Sequence, residues 1–119
     1  MREVSRTFKY KGEDVKLVFN LNAMQVIQEE YGTLGNWGEL TDGKAEGEPN
    51  IKALIFGMRA MLNEAIEIEN EDNGTNKPLY TERQVGRILT EVGLDNASDA
   101  VKETVIKSTK DPEGDSKNA

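Results

Sequence analysis

Cysteine and histidine are both absent from this chain of 119 residues. Without them there is no disulfide framework, no thiol nucleophile and no imidazole base, and the ligands most transition-metal sites use are missing. The lack of cysteine is consistent with a reducing compartment, and the cytoplasm is the expected one. Aromatic residues make up only 6%, with a single tryptophan, and there are three prolines. No run approaches the roughly 18 to 20 apolar residues of a bilayer span. The opening Met1-Arg2-Glu3-Val4-Ser5-Arg6 lacks the apolar stretch of a secretion signal, so none is expected. Basic residues are outnumbered 15 to 22 by acidic ones, a net charge of −7. That balance disfavours nucleic acid and anionic membrane as partners, because both reward clustered Lys and Arg.

What is present is patterning. Phe8, Tyr10, Val15, Leu17 and Phe19 alternate as in two short strands, with Arg6, Lys9 and Lys16 between them and a turn expected at Gly12-Glu13-Asp14. Within four residues the period changes to 3.6. Ala23, Met24, Ile27 and Tyr31 then mark a helix over 23–31, with Asn22 and Gln25 at capping-box spacing and Gly32 just past its end. Residues 33–49 carry Gly35, Gly38, Gly43 and Gly47 and read as a mobile loop with at most one helical turn around Trp37 and Leu40.

Ile51, Leu54, Ile55, Met58, Leu62, Ala65 and Ile66 form the strongest stripe, with Phe56 and Met61 widening it, before an acidic exit at Glu67 to Gly74. Thr81 and Gln84 form a second capping box ahead of Val85, Ile88, Leu89 and Val92. A last helix from about Asn96 presents Ala97, Ala100, Val101, Thr104 and Val105. The expected fold is α+β and mostly α. An N-terminal hairpin packs on about four helices in one domain over 1–110, and 111–119 is a disordered tail.

Chemistry is sparse. The carboxylates at 29, 30, 64, 67 and 69 read as solvated helix faces, since acid–base work needs carboxyls held in a pocket with shifted pKa values. The stretch Glu69 to Gly74 fails as a calcium loop, because Glu69 and Tyr80 occupy the first and bidentate ligand positions. No phosphate-binding glycine pattern occurs. The last two helices have a helix-turn-helix outline, but Asn96 to Glu103 carries two carboxylates and one lysine, which opposes DNA docking. No catalytic residue, metal or cofactor is expected. An apolar interaction surface remains, with Trp37, Phe56, Met58 and Met61 as partner-binding candidates by side-chain type.

The run from Val15 to Gly32, with Phe19-Asn20-Leu21-Asn22-Ala23 at its centre, resembles the opening of small tail assembly chaperones of long-tailed bacteriophages and prophages. In that family a hairpin ending in Phe-Asn/Asp-Leu-Asn-Ala precedes an acidic helix, a loop, a long apolar helix and a helical pair, a layout this chain follows over about residues 7–110. The glycine-rich stretch Gly35 to Gly47 has no counterpart in it. The resemblance implies a non-enzymatic protein of the bacterial host cytoplasm, absent from the finished virion. It would bind the tape-measure protein, help tail-tube protein assemble around it, and exist also as a frameshifted longer form. Self-association stays open. The alternatives are an adaptor for another helical protein and, behind it, a DNA-binding regulator.

Overall fold

The computed structural model describes residues 1–43 and 47–110. Strands β1 (Val4–Tyr10) and β2 (Glu13–Phe19) form an antiparallel hairpin, followed by α1 (Leu21–Tyr31), α2 (Leu34–Asp42), α3 (Ile51–Asn73), α4 (Glu82–Val92) and α5 (Leu94–Thr109). A hairpin ahead of mostly helical structure is as expected, with five helices where about four were counted. The tail at 111–119 and the middle of the expected loop, 44–46, lie outside the described residues.

The hairpin pairs Val4 with Phe19 and Tyr10 with Glu13, so its turn is Lys11-Gly12, ahead of the position expected. Both turn residues take positive φ, 52° and 80°. A two-residue turn of that hand matches the twist of the strands it joins, and glycine takes it without strain. Val15, Leu17 and Phe19 face inward from β2 and are buried. Arg6 pairs with Leu17 in the register and forms an ion pair with Glu103 of α5. On the other face Lys9 and Asp14, register partners, form an exposed ion pair at 2.7 Å. Such a pair contributes about 0–1 kcal/mol.

Helix α1 begins two residues earlier than its apolar spacing implies. Its cap is Asn20, whose side chain accepts from the Ala23 N–H at 3.2 Å. The third helical position is therefore Ala23, which cannot reach back, so the box expected from Asn22 and Gln25 does not form. The mobile loop expected over 33–49 is corrected more substantially, because 34–42 is helical. Thr33 caps α2 by accepting from Asn36 N–H at 2.9 Å, and Trp37 is turned inward, 2% exposed. Burial of a large ring outweighs the poor helix propensity of Gly35 and Gly38.

Helix α3 spans 23 residues and runs through the acidic stretch expected as its exit, ending at Gly74. It is the central element: β2, α1, α2 and α4 all lie against it. Thr81 and Gln84 make the expected reciprocal cap at the start of α4. All five stripe residues expected of the last helix are buried on α5. The N-terminus is tied to that helix, with Arg2 N–H donating to Ser108 carbonyl oxygen at 3.0 Å and the Ser108 hydroxyl donating back to Arg2. One apolar cluster, from Val15 of the hairpin to Val105 of α5, joins every element.

Candidate partner-binding groove

The four residues nominated for partner contact divide unequally. Trp37 is 2% exposed, and Met58 and Met61 are 0% exposed, so all three belong to the core. That corrects the expectation of a contact surface built on them. Their polarizable, unbranched or broad side chains fill the space where α2 and the hairpin meet α3. The Trp37 indole N–H donates to Ala53 carbonyl oxygen at 2.8 Å, which satisfies its one buried donor. Phe56 alone is half-buried, and it borders a surface groove.

That groove separates α1 from α3 and encloses about 420 Å³. The two helices run antiparallel along it. Asn22 at the start of α1 donates to Glu64 at 3.1 Å, while at the other end the Tyr31 and Phe56 rings meet edge-to-face, centroids 5.5 Å apart. The groove is graded along its length. Val26, Phe56 and Ala60 make an apolar end, and Val26 is 42% exposed. Glu64, Glu67 and Glu71, with Ile68 beside them, make the other end.

Hydrogen bonds fix several of these side chains. Glu64 accepts from the Asn20 amide at 2.8 Å as well as from Asn22, so the residue that caps α1 also orients a groove carboxylate. Asn63 both accepts from and donates to the Tyr80 backbone, at 2.7 and 3.2 Å. Arg59, the cation of the groove lining, donates through Nε to the Tyr80 carbonyl oxygen at 3.0 Å. The Tyr31 hydroxyl is held above the usual tyrosine value, chiefly by burial and secondarily by the charges of Glu30 and Glu82. The three ion pairs among the described residues are Arg6–Glu103, Lys9–Asp14 and Lys77–Glu69, and none includes Glu64, Glu67 or Glu71.

A second cleft lies between the hairpin turn, the end of α3 and the segment leading to α4, lined by Glu13, Lys16, Leu79 and Tyr80 among others. Burial raises the Tyr80 pKa there, with the charge of Glu13 adding to it. Elsewhere, the first part of α5 exposes Asp95, Asp99 and Glu103 with Lys102, while Lys107 and Lys110 are exposed at its end. The first part repels phosphate. Among the described residues, no cluster of three or more His, Cys, Asp or Glu is placed to hold a metal, and no helix is long and apolar enough to cross a membrane.

The chain is thus a hairpin followed by five helices, with a surface groove between α1 and α3. Comparison with protein-family models, with curated proteins and with solved structures finds no match to this chain. Val26, Ala60 and Ile68 were not singled out from the sequence. The available signal was on α3: Phe56, Ala60 and Glu67 recur at helical spacing on a side distinct from the Leu54-Met58-Met61 stripe.

Proposed function

We propose that this chain is a non-enzymatic tail assembly chaperone of the phage or prophage type. In the host cytoplasm it would hold a tape-measure protein in solution until tail-tube subunits assemble around it. The observation that carries this reading is the α1–α3 groove, whose lining is mostly polar but which presents Val26, Phe56 and Ala60 as an apolar end and Glu64, Glu67 and Glu71 at the other. A long helical chain with apolar stripes aggregates unless those stripes are covered. A highly charged partner that lays a groove against them both covers them and keeps the complex dispersed. The Phe19-Asn20-Leu21-Asn22-Ala23 handover supports the same reading, since its asparagines cap α1 and position Glu64 at the groove. The acidic first part of α5, with Asp95, Asp99 and Glu103 against Lys102, disfavours the DNA-binding alternative.

This reading expects a very long helix-rich reading frame beside the gene for this chain, and the test is co-expression with the product of that frame. The soluble fraction of that protein should rise severalfold in the presence of this one. Equal solubility with and without it overturns the proposal. Rescue of an unrelated helical protein, with none for the tape-measure protein, would establish the adaptor instead.

A further inference from the structure

We infer that the α1–α3 groove seats one amphipathic helix of the partner, apolar at one end and basic at the other. This rests on the chaperone reading and specifies its contact. Charge complementarity selects the occupant. Glu67 and Glu71 are exposed, Glu64 is half-buried and held by amides, and none of them takes part in an ion pair among the described residues. They also lie toward the C-terminal end of α3, whose last turn contains no basic residue. The helix dipole places negative potential on that last turn, so Glu71 and the dipole repel one another until a cation arrives. Lys or Arg on an incoming helix relieves both. At the opposite end Val26, Phe56 and Ala60 offer apolar surface next to a half-buried, backbone-tied Arg59, and aliphatic side chains are what that end accepts.

Geometry sets the length. From Phe56 to Glu71 α3 advances 15 residues, about 22 Å at 1.5 Å per residue, so the occupant is a helix of about four turns. A second copy of this chain fits poorly. It carries the same net charge of −7, which opposes bringing two copies together.

The experiment uses the full chain and two fluorescein-labelled synthetic helices of about 18 residues. Both carry Leu at helical spacing in one half, and the other half carries Lys in one peptide and Glu in the other. By fluorescence anisotropy the Lys peptide should bind about tenfold or more tighter, with the difference shrinking as salt is raised. Glu67→Lys combined with Glu71→Lys should reverse the preference. Val26→Asp should weaken the Lys peptide about tenfold, and an unchanged thermal melt would show that the fold is intact. Equal binding of the two peptides, indifference to both variants, or a sedimentation profile in which the chain occupies its own groove as a dimer overturns the assignment. If the peptides fail while co-expression still rescues the tape-measure protein, the groove assignment falls and the chaperone reading stands. If the peptides bind as stated and rescue fails, the chaperone reading falls alone.

Discussion

Gly57→Ala should be strongly destabilising, although the same change in an exposed helix normally stabilises. Gly57 is buried on α3 directly beneath Trp37. A Cβ there would lie 2.1 Å from Cζ2 of the indole, 2.6 Å from Cε2 and 2.8 Å from Nε1. These separations are far inside van der Waals contact, so the ring or the helix must move. Helix propensity favours alanine by about 1 kcal/mol. Against that, a core forced to accept one extra methyl loses about 1–3 kcal/mol, and the loss approaches the 3–5 kcal/mol of tryptophan removal if the ring is expelled. Expulsion also breaks the indole N–H bond to Ala53, about 0.5–1.5 kcal/mol more. The net expectation is about 0–2 kcal/mol of destabilisation if the ring stays and about 2.5–5.5 kcal/mol if it is expelled, and a Cβ 2.1 Å from a rigid ring favours expulsion. Trp37 is the only tryptophan, so its emission reports the outcome directly. Urea unfolding should show a lower midpoint, and the folded-state emission should shift to the red. A variant as stable as the parent with unshifted emission would refute the packing argument.

Other outcomes follow from single groups. Asn20→Ala removes the α1 cap and one amide from Glu64, and should lower stability by about 0.5–2 kcal/mol in urea titration. Glu71→Lys should raise the unbound chain's stability by about 0.5 kcal/mol at low salt, by relieving the negative end of α3, while weakening the basic peptide. Tyr31 and Tyr80 hold their protons more tightly folded than unfolded because burial disfavours the phenolate, and Lys77 does so through its bond to Glu69. Their stabilisation is therefore complete below the unfolded values of 10.0 and 10.5 and is lost as pH rises through the higher folded ones. Urea midpoints measured from about pH 9 to about pH 11 should fall, and Tyr80→Phe should fall less steeply.

Strong periodicity made α3, α4, α5 and both strands legible in advance, because each buries one face and the spacing of apolar residues records which. Helix α2 was not legible. Its glycines have low helix propensity, and what stabilises it is Trp37 entering a space on α3 that exists only because residue 57 has no side chain. The hairpin turn was misplaced because Lys11 takes a positive φ that lysine seldom adopts, whereas Gly12 alone gave the visible signal. The α1 cap was misplaced because Asn20 and Asn22 are chemically alike. Which one caps depended on where β2 ends and where Glu64 lies, a contact 44 residues away in the chain.

From the sequence alone come the types of most elements, the lack of histidine and cysteine chemistry, and the strand-to-helix handover that suggested a family. Only the tertiary structure decided which apolar side chains are exposed. Trp37, Met58 and Met61 are the sort of side chains that contact partners, yet all three are buried in the core, whereas Val26 and Phe56 line the groove between α1 and α3. Local patterning records that a side chain is apolar. Whether it is covered depends on which distant elements pack over it.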